Sequence, residues 1–486
     1  MELKSIIAGM EGLKAKGNLD LDITGIESDS RKITENGMFV AIVGFQTDGH
    51  KFIKQAIENG AKVVMIQEGT KIKKEDITDD VTVIMAPDTR IATAKMACNF
   101  YKNPSTKFKL IGVTGTKGKT TTTFMIKAIL EAKGEKVGLV GTVANYIGSK
   151  NLGESSRTTP DSLELQKLFS QMVSEKVDSV IMEVSSQALK LHRVDGCDFD
   201  IGVFTNFSED HISAHEHPDM QDYFNSKLKL MEMSKKSFIN ADDFKVSKIK
   251  KLLPEKDIKS YGIDNEADLI AKDITITNSS VDFKVKIDGK NERIKTGIPG
   301  RFSVYNSLAA ISVATKLGAN AEQIKEALLN VRVPGRSELV DNKKGLTIMI
   351  DYAHSPESLQ NILSAVKSYT RGKVISVFGC GGDRDTTKRP IMGQISANIA
   401  DFTIITSDNP RTEKPEEIVK QIEEGAKKTK GKYICLVDRT EAIKYAINMA
   451  TKTDIIVLAG KGHETYQEIN GVKNHYDERE IIKEVI

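Results

Sequence analysis

The apolar positions of this chain come in short saturated runs, each stopping at small or polar residues. LIGVTG (110–115), KVGLVGT (136–142), SVIMEVSS (179–186) and DIGVFTN (200–206) are four of them. TIMIDYAH (347–354), KVISVFGCGG (373–382), DFTIITSDNP (401–410) and DIIVLAGKGH (454–463) are four more. Such runs are too short for helices and too apolar for a half-exposed strand, so they read as strands covered on both faces. Helical stretches lie between them, as in TTFMIKAILEAKG (122–134), closed by Gly134. Strand–helix alternation predicts parallel sheets wrapped by helices. Nearer the start, VVMIQ (63–67) and VTVIMAP (81–87) read as strands, and KFIKQAIENG (51–60) as a helix ending at Gly60. Pro87 to Pro104 reads as a helical link. Between about 260 and 298 the period changes to two: DITITN and VDFKVKID alternate like an antiparallel piece. RFSVYNSLAAISVATKLG then reads as a helix ending near Gly318.

These patterns predict an α/β protein of three domains. A small N-terminal α/β domain spans 1–90. A central P-loop-type domain with a parallel sheet spans 91–334. A C-terminal doubly wound, Rossmann-like domain spans 335–486. The segments near 88–107 and 331–336 are candidate hinges. The apolar runs end in Gly, Ser, Thr, Asn, Asp and His, where open parallel sheets bind their ligands.

The composition narrows the function without choosing it. At 486 residues the chain is too long for one core. A net charge of +3, no tryptophan and 6% aromatic residues give no basic, base-stacking surface, so no nucleic-acid partner is expected. Lysine pairs such as Lys343–Lys344 read as solvated surface. No run approaches a membrane span, and MELKSIIAGMEG has acid and base early, unlike a signal peptide. Cys98, Cys197, Cys380 and Cys435 are scattered, which fits a reducing compartment. The expectation is a cytoplasmic, monomeric protein.

Chemistry first appears in IGVTGTKGKTTTTF (111–124). The common phosphate loop, G-x-x-x-x-G-K-[ST], is met by Gly118, Lys119 and Thr120 but has Val113 in place of its first glycine. The actual spacing is Gly115-x-x-Gly118-Lys119-Thr120. A buried strand before it and a helix N-terminus after it still give oriented N–H groups for a phosphate. Glu183 closes another strand and puts a carboxylate at the same edge. His211, His215 and His217 do not share one helix face, so HISAHEH reads as a loop and not a zinc set. By composition alone, Lys227 reads as an exposed helix lysine and Asn306 as a helix-surface amide.

TGTKGKTTT (114–122) resembles the ATP-binding signature of the Mur ligases, which build the peptide of peptidoglycan. The resemblance continues in order through SDSR (28–31), MEVSSQALKLHR (182–193), NFSEDH (206–211), YFNSK (223–227), DYAHSPE (351–357), GDRD (382–385), SDNPRTEKP (407–415) and GKGHETYQ (460–467). Within the family it resembles the members that add the third amino acid. The implied reaction joins a carboxylate to an amine at the expense of ATP, through an acyl phosphate. It would serve cell-wall synthesis, and with it cell shape and division. SDSR in an added first domain and DNPR in the last argue against the cousin activity, folylpolyglutamate synthesis.

The resemblance also implies roles. Gly115, Thr116, Lys117, Gly118, Lys119, Thr120 and Thr121 would hold the phosphates of ATP, and Asn306, Arg336, Asp351 and His354 its adenosine. Thr120, Glu183, His211 and Lys227 would serve Mg²⁺. An ammonium cannot ligate Mg²⁺, so Lys227 would carry CO₂ as a carbamate. Lys119, Lys227 and His211 would be catalytic. Ser28, Ser30, Gln46 and Thr47 would contact the uridine diphosphate of a UDP-N-acetylmuramoyl-dipeptide. Thr158, Thr159, Ser185 and Arg193 would contact its muramoyl-dipeptide. Leu191 and Arg157 depart from the better-known members, where a glutamine and an asparagine stand. Arg384, Asp408, Asn409, Pro410, Arg411, Gly460 and Glu464 would bind the amino acid. Two arginines suit carboxylates and Glu464 an ammonium, which points to meso-diaminopimelate, with L-lysine as the alternative.

Overall fold

The computed structural model describes residues 1–486 apart from 46, 72, 154–156, 210, 211, 214 and 215. Contacts divide the chain into two compact units: residues 1–119 with 133–261, and residues 120–132 with 262–486.

The first unit holds two sheets. Strands β1 (Lys14–Lys16), β2 (Ile26–Glu27), β3 (Gly37–Val40), β4 (Ala61–Gln67) and β5 (Thr82–Ala86) form the smaller, in the order β1-β5-β4-β3-β2. β4 contains VVMIQ and β5 lies within VTVIMAP; β1 and β2 before them carry too few apolar residues to be read from pattern, while β3 is a short buried run, GMFV. Alternate residues of β3 and β4 enter different cores. Met38, Val40, Val63 and Met65 pack with Ala92 and Met96 of the helix Thr89–Phe100. Phe39, Val64 and Ile66 pack with Ile53 and Ala56 of the helix Ile53–Glu58. The link after Pro87 is thus a helix, started by Asp88, whose carboxylate accepts from Arg90 N (2.8 Å) and Ile91 N (3.2 Å).

The larger sheet is built from β6 (Lys109–Thr114), β7 (Val137–Val140), β8 (Tyr146–Ile147), β9 (Lys150–Asn151), β10 (Ser179–Glu183), β11 (Ile201–Phe204), β12 (Lys236–Asn240) and β13 (Asp257–Gly262). Their order is β13-β12-β11-β6-β10-β7-β8-β9. The six strands from β13 to β7 pair in parallel, and β8 and β9 add an antiparallel edge. β6, β10 and β11 therefore lie side by side, with their carboxyl ends at one edge.

In the second unit a short strand β14 (Leu269–Ile270) precedes an antiparallel sheet of β15 (Lys272–Ile276), β16 (Val281–Ile287) and β17 (Lys290–Thr296). The first two longer strands are the period-two segments. The helix Arg301–Lys316 follows, with its C-cap at Leu317. The third main sheet contains β18 (Glu338–Leu339), β19 (Thr347–Asp351), β20 (Val374–Phe378), β21 (Phe402–Ile405), β22 (Tyr433–Cys435) and β23 (Ile455–Ala459), in the order β18-β19-β23-β20-β21-β22. β19 to β22 are parallel, and β18 is an antiparallel edge. Met349 faces Leu359, Leu363, Met392 and Ile422, while its neighbours Ile348 and Ile350 face Ile443, Ile447 and Ile482. Helices thus cover both faces, which is why these strands are apolar throughout. A hairpin of β24 (Tyr466–Ile469) and β25 (Val472–His475) follows β23.

None of the four cysteines is in a disulfide. Among the described residues no helix is long and apolar enough to cross a membrane.

One buried ion pair ties the last sheet's ends together. Arg439 Nε donates to Glu478 Oε1 at 2.8 Å, and its other nitrogens donate to Ser407 O (3.2 Å) and Ala459 O (3.0 Å). Both side chains are out of solvent. Glu478→Gln would leave the guanidinium without its counter-charge. The expected loss is about 3–5 kcal/mol, read from the shift of the denaturant unfolding curve.

Candidate active site

The site begins at the turn after β6. Gly115 has φ +144, and a Cβ there would stand 2.0 Å from Thr205 Oγ1. The segment after β11 closes over the turn at this point. Thr116 N donates to Asn206 O (2.9 Å), Lys117 N to Asn206 Oδ1 (2.8 Å) and Thr205 Oγ1 to Lys117 O (2.7 Å). Tyr223 OH donates to Thr116 Oγ1 (3.2 Å), which in turn accepts from Ser208 N (3.1 Å). The helix Lys119–Ala132 starts directly after Gly118, with Thr120 and Thr121 buried in its first turn. Lys119 Nζ donates to Gly115 O (2.8 Å) and Thr116 O (3.0 Å), so its ammonium sits on the turn itself. Asn206 was not among the expected residues; its position after DIGVFT was the available signal.

Two charged groups flank the turn. Lys227, on the helix Met220–Met233, is 1% exposed and donates to Gly115 O at 2.9 Å. Its Nζ lies 4.5 Å from the centroid of the Tyr223 ring. The exposed lysine suggested by composition is therefore corrected: the helix turns this position inward, whereas Lys229, two residues on, is half-buried and reaches Leu189 O (3.4 Å). Glu183, the last residue of β10, is also 1% exposed. Its carboxylate accepts from Thr142 N (2.9 Å) and Thr142 Oγ1 (3.0 Å), bonds that replace lost hydration.

A cavity of about 240 Å³ joins these groups to the expected peptide contacts. Lys119 and Lys227 line it together with Thr158, Thr159, Ser185 and Arg193. Thr159 Oγ1 donates to Glu183 O (2.9 Å) and accepts from Ser185 N (3.0 Å). Arg193 Nη1 donates to Thr159 O (3.1 Å), and Asp161 lies 3.0 Å from its Nε. Burial disfavours the charge of Arg193, and Asp161 offsets that. Arg157, Ser186, Gln187, Glu216 and His217 complete the wall without having been expected among the contacts. His217 uses both ring nitrogens on Asp222 and Ser186, so it is no zinc ligand. His211 and His215 lie outside the described residues.

Around the small sheet, Ser28 and Thr47 are exposed, while Ser30 is buried with its hydroxyl on Gln55 Oε1 (2.7 Å). Gln46 lies outside the described residues.

In the second unit, three of the expected adenosine residues gather at Tyr352. The Arg336 guanidinium lies 4.9 Å from the Tyr352 ring, and the His354 ring 4.6 Å from it. Asp351 Oδ2 accepts from Ser337 N at 2.8 Å. The aromatic plane of Tyr352 was missed, although DYAH displays it. Asn306 is buried, not on the helix surface, and its Oδ1 accepts from Thr122 Oγ1 (3.3 Å).

The expected amino-acid residues cluster beyond β21 and β23. Gly460 is close enough that a Cβ would lie 2.5 Å from Asp408 Oδ2. Asn409 Nδ2 donates to Glu464 Oε2 (2.8 Å), while its Oδ1 accepts from Lys461 Nζ (3.0 Å) and Glu468 N (3.0 Å). Burial, and Asp408 nearby, push the Glu464 carboxyl up; Lys461 pulls it down. After Pro410, Arg411 has φ +52 and donates through Nε to Glu468 Oε2 (3.0 Å) and through Nη1 to Gly382 O (2.8 Å). Arg384 is exposed. Lys461 and Glu468, the two braces of this cluster, lie in or beside GKGHETYQ and were not expected as site residues.

The donors suit a hard cation only as part of a shared shell. Among the described residues no three His, Cys, Asp or Glu side chains converge on one point. Glu183 offers oxygen, and Mg²⁺ commonly completes its octahedron with phosphate and water oxygens.

A glycine–lysine–threonine turn opening a helix, beside a buried carboxylate that ends a nearby parallel strand, is the arrangement of an ATP-dependent ligase. The chain belongs to the Mur ligase family. Residues 22–101 match the Mur ligase family catalytic domain, 113–314 the Mur ligase middle domain and 335–462 the Mur ligase glutamate ligase domain. It is 50% identical to the UDP-N-acetylmuramoyl-L-alanyl-D-glutamate--2,6-diaminopimelate ligase of Caldanaerobacter subterraneus subsp. tengcongensis, over 100% of this chain and 99% of the relative. The corresponding ligase 1 of Clostridium acetobutylicum is 46% identical over the same shares. A solved structure of a UDP-N-acetylmuramoyl-L-alanyl-D-glutamate--2,6-diaminopimelate ligase superposes with a TM-score of 0.73 at 29% identity, over 100% of this chain and 98% of that one.

Gly115→Ala would force a side chain into Thr205 from a left-handed backbone. Calorimetric titration should show nucleotide affinity reduced by at least about tenfold, with thermal unfolding lowered by about 1–3 kcal/mol.

Proposed function

We propose that this protein joins meso-diaminopimelate to UDP-N-acetylmuramoyl-L-alanyl-D-glutamate, converting ATP to ADP and phosphate. The cavity that puts Lys119, Lys227 and Arg193 on one wall system carries the reading. A carboxylate and a triphosphate repel each other, and a pocket lined by Lys119, Arg157 and Arg193 offsets that repulsion. Full-length similarity to ligases named for this reaction supports the substrate assignment. A nucleotide-linked substrate and ATP place the work in the cytoplasm.

Three functional parts follow: 1–90 for the uridine diphosphate, 91–334 for ATP, and 335–486 for the amino acid. Ser28, Ser30, Gln46 and Thr47 serve the first. Gly115, Thr116 and Lys117 shape the turn, whose Thr116 and Lys117 N–H groups are taken up by Asn206; the N–H groups from Gly118 to Thr121 at the helix start hold the phosphates, and Lys119 neutralises the one transferred. Arg336, Asp351, His354 and Asn306 hold the adenosine. Arg193, Thr158, Thr159 and Ser185 orient the D-glutamyl carboxylate. That carboxylate attacks the γ-phosphate, and ADP leaves. The amine of the second substrate then attacks the acyl phosphate, and phosphate leaves.

Glu183 and Thr120, with His211 and a carbamylated Lys227, would hold Mg²⁺. When bound, the ion neutralises charge on the phosphate oxygens. The buried Lys227 is the right kind of group for the modification, because burial favours the neutral amine that takes up CO₂.

Arg411, Arg384, Asn409, Asp408, Pro410, Gly460 and Glu464 select the amino acid. Glu468 accepts from Arg411 Nε and Gly382 O from its Nη1, which fixes the guanidinium for a carboxylate partner at its remaining N–H groups. L-lysine has no second carboxylate to offer.

Phosphate release with each amino acid tests the assignment. meso-Diaminopimelate should support turnover and L-lysine little. Arg411→Ala should lower kcat/KM for meso-diaminopimelate by about 10²-fold or more and leave the weak L-lysine rate within about threefold. Equal losses for both substrates would refute the specificity assignment.

A further inference from the structure

Outside the residues used so far, one constellation on the cavity wall has a chemical order of its own. His217 Nδ1 is 2.7 Å from Asp222 Oδ2, and His217 Nε2 is 2.9 Å from Ser186 Oγ. His217 is fully buried, and both Ser186 and His217 line the cavity shared with Lys119, Arg193 and Lys227. Resting on the ligase reading above, we propose that Ser186, His217 and Asp222 form a proton relay that accepts the proton released when the amine attacks the acyl phosphate.

The order of the bonds sets the direction. Asp222 accepts only, so the imidazole carries its proton on Nδ1 and leaves the Nε2 lone pair for the Ser186 hydroxyl. When the C–N bond forms, the C–O bond to phosphate breaks and phosphate takes its electron pair. The proton on the new ammonium passes to Ser186 Oγ as the serine proton passes to Nε2. The resulting imidazolium is stabilised by Asp222 and later returns its proton to solvent. The groups facing His217 agree with a neutral resting imidazole. Burial lowers its proton affinity, Asp222 raises it and the Lys190 ammonium lowers it, as does Lys227 for as long as it is unmodified. Lys190 also donates to Asp222 Oδ2 at 2.8 Å, fixing the carboxylate, and the Tyr223 ring lies tilted against the imidazole with centroids 5.1 Å apart. Glu216, next in the chain, is the other acid on this wall.

The test uses two nucleophiles on the same acyl phosphate. Hydroxylamine is already unprotonated at neutral pH, so hydroxamate formation leans less on a base than peptide formation does. In the full chain, His217→Asn should reduce amide formation with the diamino acid by about 10²-fold and hydroxamate formation by no more than about threefold. The acid limb of the kcat–pH profile should flatten. Ser186→Ala should split the two rates in the same direction, and it decides the matter if His217→Asn does not fold. Equal loss of both products would show a purely structural role, and no loss of either would remove the relay. A split produced by Glu216→Gln and absent from the other two would assign the base to Glu216 and overturn the proposal. If the wild-type chain forms hydroxamate and peptide normally, the ligase reading stands whatever the variants do; if it forms neither, both fall.

Discussion

Gly115 leaves no room for a side chain, because Thr205 from the neighbouring strand end occupies that volume. This close approach is the constraint on which the rest of the site is built. β6 and β11 are adjacent in the sheet, so the turn after one is closed by the segment after the other. With Asn206 and Thr205 bonded to Lys117, the backbone of the turn is held from one side. Lys227 and Tyr223 hold it from the helix Met220–Met233. Anion binding by backbone N–H groups depends on such fixity, since donors that must reorganise give little stabilisation.

Burying charge near that turn is costly and is offset locally. Glu183 is almost out of solvent, and Thr142 meets it with both its N–H and its hydroxyl. The ammonium of Lys227 has a carbonyl and an aromatic face. An unpaired buried ion would cost several kcal/mol. Each of the two buried groups therefore has polar or aromatic partners in place of water.

The same logic is repeated at the end of the third main sheet with different partners. Arg439 bonds to the carbonyls of Ser407 and Ala459, next to Asp408 and Gly460. Lys461 sets which way the Asn409 amide faces, and that in turn directs its N–H toward Glu464. Glu468 braces Arg411. The orientations of Asn409 and Arg411 are thus each set by a charged neighbour, Lys461 for the first and Glu468 for the second.

The sequence by itself determined the strands that are apolar on both faces, because burial on both sides demands continuous runs and those runs are visible. It also determined the phosphate turn, the strand-end position of Glu183 and the motifs of the last sheet, all of which depend on residue type at short range. Short edge strands such as Lys14–Lys16 escaped notice because they bury almost nothing. Only the tertiary structure decided that Lys227 and Asn306 are buried, since a helix face is exposed or covered according to what packs on it. It also decided that Ser186 meets His217 and that Glu468 meets Arg411. Those pairs are 31 and 57 residues apart in the chain, and no local spacing encodes which side chains a sheet's crossovers bring together.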